Sequence, residues 1–246
     1  MSQSELDRLM EQITSKYDVE ILPMTIGNRK LKTLQLKDFE SYIEKVVEAD
    51  EDIGLANLPF WAKVWEASLI LAYFMGKQPV VPGRRILEVG AGLGIVGVYA
   101  ALCGHRVTIS DYNDDALLFA RANALINNLP DVEIRNIDWN DQGFSEQYDV
   151  IIGSEIVYDR RGYPILVDFL KRALAPDGMV FMSKNAEMKT PAFFEELTKH
   201  FELKQNIQKM KTGEGDQEFV LYAIRTKGCA ADASVPRGAE AMRASI

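Results

Sequence analysis

The feature of this sequence that most limits its fold is an alternation of short apolar segments and helical segments from residue 84 onward. The apolar segments predict seven strands, at 84–89, 105–110, 132–137, 148–153, 179–184, 201–210 and 218–226. The stretches between them predict four helices, one after Gly94 and others at about 113–128, 162–175 and 191–200. Because strands that alternate with helices form parallel sheets, we predict an α/β fold with a mainly parallel sheet covered on both faces.

The first 58 residues have a different pattern. Residues 2–16 predict a short amphipathic helix, and two apolar-rich runs at 17–26 and 29–36 flank Gly27-Asn28, which predicts a β-hairpin. Asp38 is expected to cap a helix that ends near Ala49. We therefore predict an N-terminal helix and hairpin extension at 1–58.

The rest of the chain divides into a second domain and a tail. We predict a domain at 59–227 that starts with one helix over 60–76, ended by Gly76. Aromatic residues at helical spacing usually pack in a core, so at most one of Phe60, Trp61, Lys63 and Tyr73 is expected to touch substrate. Residues 228–246 are rich in Ala, Ser and Gly without periodicity, which predicts a disordered tail.

Composition excludes several classes of function. With 47% hydrophobic residues the chain can bury a core, and a net charge of −8 argues against a general nucleic-acid surface. Two cysteines and two histidines give no metal cluster or disulfide framework and suit a reducing compartment. No apolar run is long enough to span a membrane, and the polar N-terminus is unlike a signal peptide. We expect a cytoplasmic protein with no metal, membrane or nucleic-acid partner.

A glycine-rich turn carries the strongest chemical signal. The run from Glu88 to Gly94, EVGAGLG, follows a predicted strand and precedes a helix. Glycines there allow a ligand to approach main-chain N–H groups. Asp111 ends the next strand, where an acid can accept hydrogen bonds from both ribose hydroxyls of a nucleoside. As a loop acid at a strand end, Asp111 is expected to pack against little and to contribute little to stability without ligand.

A dinucleotide site is the alternative interpretation of the same turn. Gly92, Gly94 and Gly97 match the spacing G-x-G-x-x-G, and Asp111 again lies at the required distance. The match begins two residues after the strand ends, and Glu88 places a charge where dinucleotide enzymes usually have an apolar residue. A nicotinamide-dependent oxidoreductase is therefore the less favoured hypothesis.

The segment ILEVGAGLGIVGV resembles motif I of the class I, seven-β-strand methyltransferases. The resemblance covers residues 84–226 and implies a Rossmann-like doubly wound sheet of seven strands with a C-terminal antiparallel strand. It also implies S-adenosylmethionine as cofactor. The cofactor-binding residues that it implies are Glu88, Gly90, Gly92, Gly94, Asp111, Tyr112 and Ser154.

A narrower resemblance, to the seven-strand protein lysine methyltransferases, rests on FWAKVWEASLILAYFM, IDWND and IIGSEIVYD. It implies that Asp138 and Trp139 contact the adenine and that Trp65 lies near the cofactor. The group's Asp-x-x-Tyr signature reads Glu155-Ile156-Val157-Tyr158 here, so the acid is one methylene longer. Glu66 also replaces the proline that usually follows the tryptophan.

Glu155 and Tyr158 are the predicted catalytic residues. Glu155 would hold an arriving ammonium group, and Tyr158 would orient it with its ring or hydroxyl. The acceptor is then a lysine of a protein or a small amine. A small-molecule methyltransferase and a non-catalytic binding protein of the same fold remain alternatives. Lys184, at the end of the fifth strand, is expected to be solvated.

Overall fold

The computed structural model describes residues 2–50, 52–54, 57–212 and 215–228. The predicted tail from 229 onward and the loop residues Gly213 and Glu214 lie outside these ranges. The helices are α1 (Ser2–Thr14), α2 (Phe39–Ala49), α3 (Glu66–Lys77), α4 (Ile95–Leu102), α5 (Asp114–Ile126), α6 (Tyr163–Ala173) and α7 (Pro191–Leu197). The strands are β1 (Val19–Ile26), β2 (Arg29–Leu36), β3 (Arg85–Glu88), β4 (Arg106–Asp111), β5 (Glu133–Asn136), β6 (Tyr148–Ser154), β7 (Leu174–Asn185), β8 (Phe201–Thr212) and β9 (Gly215–Thr226).

Seven strands form the predicted sheet, in the order β5-β4-β3-β6-β7-β9-β8. The first five are parallel, and β9 runs antiparallel to both β7 and β8. The strand order therefore reverses between β3 and β6. In open α/β sheets ligands bind outside the carboxyl ends of the strands at such a switch point.

The hairpin of β1 and β2 lies apart from this sheet and packs on α5. Leu31, Leu34 and Leu36 of β2 are buried in the same apolar cluster as α4 and α5. Two asparagines of α5 satisfy main-chain groups of β2: the side chain of Asn123 pairs with Leu34, and the side chain of Asn127 pairs with Lys32. The asparagines thus take the place of a neighbouring strand along β2.

The prediction of one helix over 60–76 is wrong at its start. Residues Phe60–Ala62 form a 3-10 turn, Lys63 and Trp65 have extended backbones, and the helix begins at Glu66. The indole Nε1 of Trp65 donates to the Phe60 carbonyl at 2.9 Å, which holds this short segment folded. An apolar run without a one-sided stripe does not distinguish a helix from an apolar loop.

Strand β7 begins earlier than predicted. It starts at Leu174, so the predicted helix-stopping turn at 176–178 lies within it. Pairing with β6 joins Tyr148 to Leu174 and resumes only between Val150 and Met179, because the intervening residues bulge out of the ladder. Asp177 there has a φ of 61°, in the left-handed region typical of turns. The turn that the sequence predicts is therefore present, but as a bulge within the strand.

None of the helices in the described residues has the length and hydropathy that crossing a bilayer requires.

Candidate active site

A cavity of about 460 Å³ opens at the switch point, where β3 and β6 end. All the predicted site residues except Gly94 line it, namely Trp65, Glu88, Gly90, Gly92, Asp111, Tyr112, Asp138, Trp139, Ser154, Glu155 and Tyr158. These residues come from segments up to 93 positions apart in the chain, from Trp65 to Tyr158. The parallel topology brings them together because it places all the strand ends at one edge of the sheet.

The glycine-rich turn forms the floor of the cavity as bare main chain. Gly90 and Gly92 have φ values of 58° and 53°, in the left-handed region that glycine favours. A Cβ on Gly92 would lie 2.7 Å from the carbonyl oxygen of Trp61, and one on Gly90 would lie 2.7 Å from the Ile156 side chain. Side chains at these positions would therefore collide with the segment before α3 and with the loop after β6.

Gly94 lies away from the cavity. It precedes α4 with a φ of 74°, and a Cβ there would lie 3.0 Å from the Ala120 Cβ of α5. Its position therefore suits the packing of the turn against α5. A role for Gly94 in contacting the cofactor stays a prediction that this placement does not support.

Glu88 is buried beneath the first turn of α4. Its Oε2 accepts a hydrogen bond from the Gly97 N–H at 2.9 Å, and burial raises the pKa of this carboxyl to about 8. A Cβ on Gly97 would lie 2.3 Å from that same oxygen. The glycine that suggested a dinucleotide fingerprint therefore allows α4 to approach Glu88.

Asp111 is buried, which contradicts the expectation that it packs against little. Its Oδ2 accepts from the Gly92 N–H at 2.9 Å and its Oδ1 from the Asn113 N–H at 3.0 Å. Burial raises its pKa. The side chain of Asn113 caps α5 by accepting from the Ala116 N–H, so Asp111 is not the cap of this helix. Asp111 instead ties the glycine turn to β4.

The side wall of the cavity contains Asp138 and Trp139, which follow β5. The indole of Trp139 packs on Phe169 of α6, with ring centroids 6.5 Å apart, and its edge lies near Gly90. Asp138 Oδ1 accepts from the main chain and the side chain of Asn140. Tyr112, 63% exposed, lies at the rim. A flat apolar face beside an acid suits a purine base with an exocyclic amine.

Glu155 lies on the opposite wall with a strained backbone. It has a φ of 54°, and its Oε1 accepts from the Asn185 N–H at 2.6 Å. Its Oε2 is buried without a hydrogen-bond partner, and burial raises the pKa of the carboxyl to about 7. Strained residues concentrate at functional sites, and a buried carboxylate oxygen without a partner is costly. The geometry thus leaves one oxygen of this carboxyl with unused hydrogen-bonding capacity.

Aromatic rings surround the space near Glu155. Tyr158 packs edge-on against Phe60, with ring centroids 5.9 Å apart, and Phe60 packs edge-on against Trp65 at 6.0 Å. Burial raises the pKa of Tyr158 to about 12, so its hydroxyl stays protonated. Ser154 lies beside this wall, with its Oγ 3.0 Å from the Ser183 Oγ.

The segment before α3 contributes more to the cavity than predicted. Phe60, Trp61 and Lys63 all line it, whereas Tyr73 does not. The signal available in the sequence was the density of aromatic residues in this segment, which their helical spacing assigned to the core instead. Lys184 is also misplaced by the sequence prediction: it is 5% exposed rather than solvated, because strand β7 ends inside the protein.

The donor set fits S-adenosylmethionine. The glycine turn offers main-chain groups, Asp111 keeps acceptor capacity on both oxygens, and Trp139 offers a flat face. Among the described residues, no group of His, Cys, Asp or Glu could hold a metal ion.

Comparison with known proteins agrees with this chemistry. A family model described as lysine methyltransferase matches residues 46–200. EEF1A lysine methyltransferase 3 of Mus musculus is 36% identical over 202 residues, covering 77% of this chain and 86% of the relative. The Xenopus tropicalis protein of that name is 28% identical, covering 83% and 92%. Protein N-lysine methyltransferase METTL21A of Danio rerio is 37% identical, covering 50% and 59%.

Solved structures agree at the level of the fold. A putative SAM-dependent methyltransferase from Streptococcus mutans is 15% identical, covers 84% of this chain and 56% of that one, and has a TM-score of 0.59. The 16S rRNA N2 methyltransferase RsmC of T. thermophilus, in complex with AdoMet and guanosine, is 20% identical, covers 83% and 50%, and has a TM-score of 0.55. These findings favour the methyltransferase over the nicotinamide-dependent alternative: the chain belongs to the lysine methyltransferase family and is an S-adenosylmethionine-dependent enzyme.

Proposed function

We propose that this protein transfers a methyl group to the side-chain amine of a lysine in a protein substrate. The observation that carries the proposal is Glu155, which lines the same cavity as the glycine turn and has a buried Oε2 without a hydrogen-bond partner. A cationic acceptor would supply the missing partner. Neither a neutral acceptor nor an anionic one would compensate this carboxylate.

S-adenosylmethionine, when bound, supplies a methyl group on a positively charged sulfur that an amine can attack. Glu88, Gly90, Gly92, Asp111, Asp138 and Trp139 would hold it. The residues of the chain therefore have to position and desolvate the acceptor rather than provide a nucleophile.

Glu155 would receive the ammonium group of the substrate and take part in its deprotonation. A free lysine has a pKa of about 10.4, so the amine must lose a proton before it attacks. The Oε2 of Glu155 can accept a hydrogen bond from the ammonium, and a carboxyl with a pKa of about 7 can also accept its proton. The rings of Tyr158 and Phe60 would confine the aliphatic stem and exclude water.

The substrate class follows from the relatives and from charge. Relatives that align over most of this chain are named as methyltransferases of EEF1A, which makes EEF1A the first protein to test. A net charge of −8 disfavours a nucleic-acid substrate and suits a basic protein segment. We propose a cytoplasmic site of action, since the low cysteine content suits a reducing compartment.

Radiolabelled methyl transfer tests the proposal. The full-length protein is incubated with labelled S-adenosylmethionine and a eukaryotic cell extract, which is then separated into protein, nucleic-acid and small-molecule fractions. We expect label in protein, on lysine after hydrolysis, and roughly 100-fold less with the Glu155→Gln variant. Purified EEF1A serves as a single-substrate assay. Label only in the small-molecule fraction would contradict the proposal and favour a small amine as acceptor.

A further inference from the structure

Lys184 is a buried cation next to Asn185, the residue whose N–H bonds Glu155. It lies near the end of β7 and is 5% exposed. Its Nζ donates to the main-chain carbonyl of Asn185 at 2.9 Å and to that of Met188. An ammonium is an expensive group to bury, so a lysine held this way by main-chain carbonyls is expected to serve a purpose other than packing.

The turn that Lys184 holds is the turn that holds Glu155. The Asn185 N–H donates to Glu155 Oε1 at 2.6 Å, while the Glu155 N–H donates to the Ser183 carbonyl at 2.9 Å. Glu155, just after β6, is therefore hydrogen-bonded to the residues of β7 on both sides of Lys184. Lys184 bridges the carbonyls at 185 and 188, so it closes the turn that begins at Asn185, the residue whose N–H bonds Glu155.

Lys184 is also the positive charge that acts on Glu155, and Glu155 in turn opposes the lowering of the Lys184 pKa that burial causes. The charged groups that act on Glu155 are Lys184 from β7, which favours the carboxylate, and Glu66 from the start of α3, which disfavours it. Burial disfavours the carboxylate more than either. Lys184 makes no direct ion pair with Glu155, so it leaves Oε2 free for an acceptor.

We propose that Lys184 is a positioning residue for methyl transfer: it orients Glu155 through the 185–188 turn and supplies the charge that keeps its carboxylate ready for a cationic acceptor. The inference rests on the proposed role of Glu155. It predicts that the neutral substitution Lys184→Met changes the pH dependence of the reaction and not only its rate.

The test is the pH profile of kcat from pH 6 to 9. Without the lysine charge, the pKa of Glu155 rises, so less carboxylate is present at neutral pH. We expect the acidic limb of the Lys184→Met profile to move to higher pH by about one unit. Activity at pH 7 then falls several-fold and recovers toward the wild-type value near pH 9. Loss of structure alone would lower the rate equally at every pH.

Lys189→Met is the matched control. Lys189 belongs to the same turn, is exposed, and donates to the Ala186 carbonyl at 3.1 Å. This variant loses a lysine charge and a carbonyl contact of the same kind, yet Lys189 is not among the charges that act on Glu155. We expect its pH profile to superimpose on that of the wild type.

The outcomes separate the two proposals. If Glu155→Gln is inactive while the Lys184→Met profile drops without moving, Lys184 is only structural and this inference fails. If Glu155→Gln keeps full activity, the proposed role of Glu155 fails. Should Lys184→Met not fold, Lys184→Gln, which can still donate to one carbonyl, is measured instead. The same shift is expected of it, and an unmoved limb overturns the inference.

Discussion

The two sides of the cavity differ in how they treat their buried carboxylates. On the cofactor side, Glu88 and Asp111 accept hydrogen bonds from the main-chain N–H groups of Gly97, Gly92 and Asn113. On the acceptor side, Glu155 has one oxygen on the Asn185 N–H and the other without a partner. Among the described residues, the only other buried side-chain atom in that state is Thr190 Oγ1.

This difference shows on which side the protein itself satisfies the hydrogen bonds of the buried carboxyls. The carboxyls of the cofactor side are hydrogen-bonded within the protein, so a ligand adds to an existing network. The acceptor side is electrostatically incomplete, because a buried carboxylate gains most when a cation arrives. Each of the following experiments changes one side and asks whether the other responds.

The largest effect is expected at the acceptor side. Glu155→Gln keeps size and polarity but removes the charge, and it should lower methyl transfer roughly 100-fold, the effect of losing one positioned catalytic group. Affinity for S-adenosylhomocysteine should be unchanged in calorimetry, because the cofactor side is intact. Glu155→Asp is the matched control, and it should retain part of the activity. Equal losses of activity and cofactor affinity in Glu155→Gln would show that the two sides are not separate.

Asp111→Ala tests the cofactor side. It should weaken S-adenosylhomocysteine binding by about 1–3 kcal/mol, the scale of hydrogen bonds to a charged group. Since Asp111 is buried and bonded to Gly92 and Asn113, we also expect an earlier melting transition without ligand. Asp114→Ala is the control, because Asp114 is exposed on the same connection and bonds only Asn136. Normal cofactor affinity with a large loss of stability would make Asp111 purely structural.

The smallest effect concerns stability against pH. Burial raises the pKa of Glu155 from 4.5 to about 7, so the folded state holds this proton more tightly than the unfolded state. The wild-type protein should therefore lose stability as the pH rises from 4.5 to 7. Urea unfolding at several pH values should show a smaller loss in Glu155→Gln, which keeps only the contributions of other buried carboxyls such as Glu88 and Asp111. Parallel curves for the two proteins would mean that Glu155 is solvated and not electrostatically incomplete.

Most of the candidate site was predictable because its residues lie at strand ends. Glu88, Asp111, Trp139 and Glu155 each end or follow a predicted strand, and parallel strands bring such positions to one edge. The errors occurred where contacts come from outside that pattern. The backbone of Trp61, in the 3-10 turn before α3, lies against Gly92. Gly94 packs on α5 instead of facing the cavity.

The sequence by itself determined the α/β class, which predicted strand each site residue follows, and most of the residues that line the cavity. Hydrophobic periodicity and glycine spacing are local properties, so they can be read without coordinates. Only the tertiary structure decided burial and charge. Whether Lys184 is solvated, whether Asp111 is bonded and whether Glu155 has a partner depend on segments far away in the chain. The electrostatic character of each carboxyl is therefore a property of the fold and not of its motif.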